Sequence, residues 1–499
     1  MGSEFTSLED YNNGFSDGEV GSTAELLKAM QAGQITGRDT ANLDLTIEPL
    51  KAESLERTLK LLDFRTKDIR LLNAMPKMTA YNTVEEFLQL KSYGTDRGGF
   101  YNEGELSDVE DSTYVRRSEL IKYIQVTGEV TLQAQMVHSF IDAYKKEVEN
   151  KTMWVMRKAN SAMTKGDADI VPQQFNGLFK QHANIGSGGG LDYLYADLET
   201  YMTSDVVIDK RGESLTQFDI ENAAVIGDGH YATFTDLFAP TSAISALIQD
   251  YFKIQRLIKG TNNGAVGVTI PSIDTSMGNI KLSSDKFMKA DSSRLLTDGA
   301  TSPKAPTIPT ISSQAIEIDS HSKVTAADAG SRYYAVATVN RYGESALVQM
   351  SASALAMVAG YSAQLGFDYT NQVGSPTGFR VYSTKVTTAG ANTGLKFYPL
   401  FYVSTAQRAA GYDGAAANYV WDRARFLPGM EQAFMTQMDE EVMSFKQLAP
   451  ISKLDLAVIS MSKRFIAFNF CCPNLYAPQK MVRFVNCSPT LNVSDPDLA

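Results

Sequence analysis

The sequence predicts an α+β protein into which an all-β sandwich is inserted, and three observations carry that expectation. In SRYYAVATVNRYGESA (Ser331–Ala346), Tyr334, Val336 and Thr338 alternate with Tyr333, Ala335, Ala337 and Val339 before a polar Asn-Arg-Tyr-Gly break. GFRVYSTK (Gly378–Lys385) supplies a second strand of the same kind. From Gln135 to Thr164 apolar groups recur at Val137, Phe140, Ile141, Tyr144, Val148, Trp154, Val155 and Ala159, with no Pro or Gly before Gly166. That spacing predicts one long helix with a buried face, about 45 Å at 1.5 Å per residue. Strand-like text also stands on both sides of the sandwich, in IPSIDTSMGNIKLSSDKFM (Ile270–Met288) before it and in the RFIAFNF and MVRFVNC segments after it. The sandwich therefore reads as an insertion into another fold, and the main function has to be sought in that host.

Taken in order, the first 45 or so residues are polar, acidic and Gly-rich, with one short helical candidate at Thr23–Gly33. They bury too little surface to fold alone and read as an extended arm. Leu43 to Leu72 reads as a strand, a break at Pro49 and an amphipathic helix using Leu55, Leu59 and Leu62. The strand-like YNTVEEFLQL and ELIKYIQVTGEV flank GGFYNEGELSDVED, the pattern of a long two-stranded excursion. Such a hairpin is marginal in water unless it lies on a neighbour. After the long helix, HANIGSGGG (His182–Gly190) reads as a linker, since it lacks both the Gly-x-Gly-x-x-Gly spacing and a Walker lysine. Residues 215–258 alternate helix and strand, and Gly227-Asp-Gly-His reads as a turn. Pro303, Pro306 and Pro309 form a semi-rigid linker into the sandwich, and the Ala-rich AQRAAGYDGAAANY forms a second one out of it. A helix is expected from about Met430 to Lys446, followed by strands at LDLAVISMS, RFIAFNF and MVRFVNC.

Composition narrows the function classes. A chain of 499 residues is expected to form two to four compact units. No run of about 18 apolar residues exists to span a membrane. The opening MGSEFTSLEDYNNGFSDGE is acidic and carries no basic n-region or apolar h-region of a secretory signal. The net charge of −11 argues against a dedicated nucleic-acid-binding module. A container that merely surrounds nucleic acid needs only a local basic patch. Cys471, Cys472 and Cys487 are odd in number and lack C-x-x-C spacing, so buried free thiols are expected rather than a disulfide or metal site. The four histidines, His138, His182, His230 and His321, are scattered, a poor inventory for histidine catalysis. No catalytic, cofactor-binding or metal residues are expected.

The sandwich resembles a fibronectin type III or immunoglobulin-like module. The ordered succession of the other pieces resembles the major capsid protein of tailed bacteriophages (Caudoviricetes), the Hong Kong 97-like fold. The local text closest to that family is TSMGNIKLSSDKFM and KLDLAVISMSKRFIAFNFCCPNLYAPQKMVRFVN. The resemblance implies an N-terminal arm (1–45), a first part of the peripheral domain (46–93), an extended hairpin loop (94–120) and a peripheral segment with the spine helix (121–180). It further implies an axial domain in two parts (181–302 and 416–462), the inserted module between them (303–415), and return strands with a tail (463–499). By that likeness the chain is a structural major head protein assembling into an icosahedral shell in the host cytoplasm. Its expected partners are itself in pentamers and hexamers, portal, scaffolding or auxiliary capsid proteins, and packaged double-stranded DNA held non-specifically, with no membrane and no cofactor. The lysine, asparagine and glutamate that crosslink subunits in some members have no match here.

Two sets of charged residues stand out. Glu103, Glu105, Asp108, Glu110 and Asp111, with Arg116 and Arg117, are candidate contacts between subunits. Lys463, Arg464, Lys480 and Arg483 are candidates for a basic inner surface. Two other readings remain open. One is a hydrolytic, carbohydrate-active enzyme with an accessory module, using carboxylates such as Asp422, Glu440 and Glu441. The other is a fibre or adhesin, against which stands the lack of a second copy of the VNRYGES text.

Overall fold

A computed structural model describes residues 63–94, 99–106, 109–136, 142–183, 205–255, 270–369, 375–387, 394–413, 415–458 and 461–489. The expected arm, the helix on Leu55, Leu59 and Leu62, His138, Asp108 and the run after Ala183 through Gly190 lie outside these residues. The elements below all belong to one compact unit, Arg65–Ala499.

The chain begins with α1 (Leu71–Ala74), β1 (Lys77–Thr79), the hairpin β2 (Val84–Ser92) and β3 (Thr113–Leu120), then β4 (Lys122–Thr131) and α2 (Leu132–Met136). Next come α3 (Ala143–Lys165), α4 (Leu178–Ala183), β5 (Val207–Asp209), α5 (Gln217–Gly229), β6 (Asp236–Ala239), α6 (Thr241–Gln255), β7 (Ser272–Thr275) and β8 (Gly278–Ser284). The long helix is shorter than its apolar pattern implies. Asp142 takes extended backbone angles, and its carboxylate accepts from the Tyr144 and Lys145 amides at 2.9 and 3.2 Å, so α3 is capped there and spans about 35 Å. Val155, Ala159 and Met163, spaced four apart, form its buried stripe.

One buried carboxylate ties α3 to its surroundings. Asp285, fully buried just after β8, accepts from the Leu71 amide at 3.0 Å and from Asn160 Nδ2 at 2.9 Å. Asn160 Oδ1 in turn accepts from the Leu72 amide at 2.9 Å. The unpaired amides at the start of α1 are thus satisfied by side chains from two distant segments.

The sandwich follows. Its strands are β9 (Thr310–Ile318), β10 (Gly330–Arg332), β11 (Tyr334–Asn340), β12 (Gly343–Glu344), β13 (Val348–Gln349), β14 (Leu355–Met357), β15 (Tyr361–Asp368), β16 (Gly378–Ser383) and β17 (Tyr398–Ser404). Helix α7 (Thr405–Ala410) and β18 (Tyr419–Asp422) complete it. One sheet runs β12-β11-β16-β17, with β13 also on β11, and the other β18-β15-β9. Val336, Phe379, Val381 and Val403 of the first face Ala363, Leu365, Phe367 and Val420 of the second. Strand β11 is buried on both faces, because Tyr333, Ala335 and Ala337 pack under Leu296, Tyr382 and Phe397. Two expectations change here. Strand β18 pairs with β15, so the last sandwich strand lies beyond the boundary expected at 415. The Ala-rich stretch also contains α7, closed by a capping box between Ser404 and Gln407.

The chain then returns through β19 (Glu431–Thr436), β20 (Met443–Asp455), β21 (Ser462–Leu475) and β22 (Met481–Cys487). The helix expected over Met430–Lys446 is absent: the segment forms β19 and the start of β20. Its Met, Gln and Glu residues are good helix formers, but intrinsic propensity is small, and the pairing of β19 with β6 and β22 and of β20 with β1 and β21 overrides it. Two host sheets result, β1-β20-β21-β4 and β5-β22-β19-β6-β8-β7. Among the described residues no helix is long and apolar enough to cross a membrane.

The sandwich is locked to its host. Its core continues into Val206, Val207 and Val485. A polar chain runs beside this seam: Lys165 at the end of α3 pairs with Asp291 at 2.9 Å, Asp291 with Arg380, Arg380 with Glu344 at 2.7 Å, and Glu344 with Arg294 at 3.3 Å. Burial pushes the Glu344 carboxyl up, but the Arg380 guanidinium, the Tyr382 hydroxyl and Arg294 outweigh it and hold its pKa below the ordinary 4.5. Glu431, buried at the return into the host, accepts from the Ala290 amide at 2.7 Å and from Ser242 Oγ at 3.2 Å, and so joins the outgoing and returning chain.

Two outcomes are expected. Glu431→Ala leaves the partly buried Ala290 amide without its acceptor and lowers the unfolding free energy by about 2 kcal/mol, measured by denaturant titration. The depressed Glu344 pKa makes its stabilisation complete above the unfolded value near 4.5 and lost as pH falls through the lower folded value. Thermal unfolding from pH 6 to pH 3 therefore shows a falling midpoint, and Glu344→Gln flattens that fall.

Candidate assembly surfaces

Strands β2 and β3 pair antiparallel from Val84↔Leu120 to Ser92↔Thr113, with an irregularity between Leu90 and Ser92. The base of this hairpin is anchored. Lys446 pairs with Glu85 at 2.8 Å, Gln89 donates to the Tyr476 carbonyl at 2.5 Å, and the Phe87 ring meets Tyr476 edge-on at 4.9 Å. Further out the support ends. Phe100, Leu106 and Val109 are 100%, 92% and 90% exposed, and Leu88, Tyr93 and Tyr114 are also open to solvent.

The acidic candidates sit on this projection. Glu105 closes the tip turn by accepting from the Asn102 amide at 2.9 Å and from Asn102 Nδ2 at 3.1 Å. Glu110 lies against Gly94, whose φ of 123° suits glycine and whose missing Cβ would fall 2.6 Å from Glu110 Oε2. Glu103 and Asp111 are exposed, while Asp108 lies outside the described residues. Arg116 pairs with Glu86 across its own hairpin, and Arg117 is half-buried beside it.

The basic candidates do not form one surface. Arg483 is buried in β22, donates to the Phe179 carbonyl at 3.2 Å and to Gln432, and stacks 4.1 Å over the Phe179 ring. Its residue type suggested a surface cation, but the aromatic and amide partners that bury it lie far away in sequence. Lys463 and Arg464 begin β21, and Lys480 follows its far end, about 45 Å away at 3.3 Å per residue. Arg464 pairs with Glu129 at 3.1 Å, and Lys463 Nζ lies 4.1 Å over the Tyr144 ring.

The hydrolase carboxylates are not brought together as an acid and base. Asp422 is buried in the sandwich, where it accepts from the Tyr334 hydroxyl and the Ala424 amide at 2.9 Å each, and Glu440 and Glu441 are on the turn leading to β20. His182 is buried, with Nε2 2.6 Å from the Met481 carbonyl oxygen. Burial, reinforced by the Arg483 charge, lowers its pKa to about 3, so it stays neutral. Gly227, Asp228 and Gly229, expected in a turn, form the end of α5, and the turn begins at its C-cap His230. A cavity of about 220 Å³ lies between the end of α3, the sandwich and β22, lined by Lys165, Asp167, Asp291, Arg380 and Arg483 among others. Of its charged groups, Lys165, Asp291 and Arg380 belong to the chain that locks sandwich to host. Among the described residues no group of His, Cys, Asp and Glu has the arrangement of a metal site.

No family model matches the chain. Whole-length relatives do. The major capsid protein of Staphylococcus phage K is 22% identical over 470 residues, 93% of this chain and 94% of the relative. A relative in Enterococcus phage phiEF24C is 21% identical over 442 residues, 88% of this chain and 89% of its own length. Along nearly its whole length the chain is similar to phage major capsid proteins. Solved shells align with it as well. The capsid of a native GTA particle covers 90% of the chain and 99% of its own, with 7% identity and a TM-score of 0.45. The holo-SrpI encapsulin complex of Synechococcus elongatus covers 88% and 95%, with 8% identity and a TM-score of 0.41.

The three thiols are buried and serve packing. Burial raises Cys471 and Cys487 to about 12, and raises Cys472 further, with nearby Glu119 adding to the rise. At pH 8 a thiol reagent is therefore expected to label none of them in the folded protein and all three in denaturant. Rapid labelling of the folded protein would contradict this packing.

Proposed function

We propose that this chain is the structural subunit of a phage head, repeated to form the shell that encloses the genome. The observation that carries this reading is the match to phage major capsid proteins along nearly the whole chain. The hairpin agrees with it physically, since a segment with an anchored base and an apolar, unsupported tip becomes stable only when a neighbour covers it. The protein is structural and its place is the virion capsid, where it assembles with its own kind into capsomers. Nothing supports the hydrolase reading.

The finer parts of this reading are the arm, peripheral, axial and inserted divisions of the chain, rings of five and six subunits, and contacts with portal, scaffolding or auxiliary proteins. The two-sheet sandwich then serves as an outward immunoglobulin-like decoration for attachment or reinforcement. What favours a fixed rather than a swinging decoration is its shared core and ion-pair chain with the host. Packaged DNA is held non-specifically, with Lys463 and Arg464 at one end of β21 and Lys480 beyond the other as separate basic candidates rather than one surface.

Electron microscopy of the expressed protein, alone and with its neighbouring head proteins, tests the reading. Regular closed shells are expected. Replacing Gly99–Leu106 by a short Gly-Ser turn is expected to abolish them while leaving the far-ultraviolet circular dichroism unchanged. A wild-type protein that stays monomeric under every condition overturns the reading.

A further inference from the structure

Helix α5 leaves one side uncovered. Phe218, Glu221, Val225 and Asp228 follow one another at helical spacing along it, and Tyr231 stands just past its end; Phe218, Val225 and Tyr231 are exposed. The opposite side carries the fully buried Ile220, Ala223 and Ala224, so the helix is already held without the outer stripe. From Gln217 to Gly229 the helix contains three acids and no Lys or Arg. Asp219 turns inward to Lys210 at 2.8 Å, and Glu221 accepts from the Ser276 amide at 3.2 Å, which leaves Asp228 as the acid open to solvent. The sandwich presents the opposite chemistry on the turn between β11 and β12. Asn340 Oδ1 accepts from the Tyr342 and Gly343 amides at 2.9 and 3.2 Å, Asn340 Nδ2 donates to the Lys304 carbonyl at 3.1 Å, and the Thr301 amide donates to the Glu344 carbonyl at 3.0 Å. Turn and incoming linker therefore form one fixed block. Tyr342 is half-exposed at its apex, with the exposed Arg341 and Lys304 cations 4.6 and 5.4 Å from the ring centre. Residues 301–304 and 340–343 hold these two cations and no Asp or Glu, and the following Glu344 turns inward to Arg380 and Arg294.

An aromatic turn with two cations and an apolar helix side with acid are complementary in both shape of surface and charge. Placement decides who supplies the match. Lys210 holds Asp219 in the first turn of α5, the neighbouring Arg211 pairs with Asp328, and the Asp328 carbonyl accepts from Arg332 just before β11. Helix α5 therefore lies toward the Tyr334 end of β11. The Arg341–Tyr342 turn leaves the Asn340 end, about 20 Å further along the strand. Phe218 and Tyr231 are bare and Arg341 and Lys304 are exposed, so the two surfaces of one chain are not seated on each other. Complementary patches at opposite ends of a rigid body make a head-to-tail contact, the heterologous kind that closes rings.

We propose that the Arg341–Tyr342 turn of the sandwich, with Lys304 beside it, docks on the outer side of α5 of a second copy. This rests on the shell reading and gives the inserted sandwich a binding role between subunits. The test joins Val225→Cys and Lys304→Cys in one full-length chain. The native cysteines are buried and do not compete. On oxidation of the assembled protein the double variant is expected to give a ladder of covalent multimers on a non-reducing gel, and each single variant none. In parallel, Arg341→Glu and Asp228→Lys are each expected to raise the concentration needed for assembly about tenfold, with the far-ultraviolet circular dichroism unchanged. Combining them in one chain restores assembly. Shells that form in the microscope without the ladder, or reversals that do not rescue each other, overturn the docking and leave the shell reading intact. Rescue of Arg341→Glu by Glu103→Lys instead of Asp228→Lys makes the hairpin tip the occupant and likewise overturns docking on α5. A wild-type chain that forms no oligomer overturns the shell reading, and the docking with it.

Discussion

The architecture turns on how the chain leaves its host sheet and comes back. Strand β8 runs parallel to β6 and ends beside Ala239. Strand β19 runs antiparallel on the other side of β6, with Phe434 opposite Phe238, and so begins at that same end. Exit and re-entry are two strand spacings apart, about 10 Å. Everything between Ser284 and Glu431 must therefore fold out and return through one narrow gap. The Glu431 carboxylate closes that gap by holding the Ala290 amide on the outgoing side while Ser242 of α6 supports it from below. Burial raises the Glu431 pKa, the expected cost of placing a carboxyl where the geometry needs an acceptor and water is excluded.

Closure at that gap explains why the sandwich does not behave as a tethered bead. Its first and last parts are pinned at the same end of β6, and Val207 of β5 and Val485 of β22 complete its core. The hairpin contrasts with it. Its base is held by Lys446, Tyr476 and strand pairing, but among the described residues nothing covers the tip. Under the proposed reading, a body with an uncovered projection suits a repeating subunit, because the body can set the angle between neighbours while the projection offers surface for a contact.

How much of this could be read from the sequence depended on how local each signal was. Alternation in β11 and β16, the Met277-Gly278 turn between β7 and β8, and the Val155, Ala159 and Met163 stripe of α3 are written within a few residues, and each is visible by eye. The start of α3 was less legible, because apolar residues continue upstream and only the Asp142 carboxylate stops the helix. The Met430–Lys446 segment misleads because its residues favour helix locally while its strand partners lie in the remote β6, β22, β1 and β21. Among the charged candidates, the acids of the hairpin were visible as a run. Arg483 was misread, since only Phe179 and Gln432, remote in sequence, show that it is internal. Asp285, Asp291 and Glu431 carry no local mark, and their importance appears only when Leu71, Arg380 and Ala290 come beside them.

The polar seam between sandwich and host has its own logic. Val206, Val207 and Val485 already give an apolar contact, which is non-directional and tolerates small rotations. Buried ion pairs add little net stability, because desolvation offsets most of their attraction. What they add is direction. Arg380 meets Asp291 and Glu344 at once and lies 4.6 Å over the Tyr402 ring, and Tyr382 and Arg294 bind the same Glu344. A rotation of the sandwich breaks several of these contacts together and leaves charges buried without partners. In a shell built from many copies, an inserted body of variable orientation would collide with its neighbours or splay the contacts beneath it. A seam chosen for angle rather than strength answers that constraint, and it accounts for the concentration of charge in the one place where an apolar seam would have sufficed for stability.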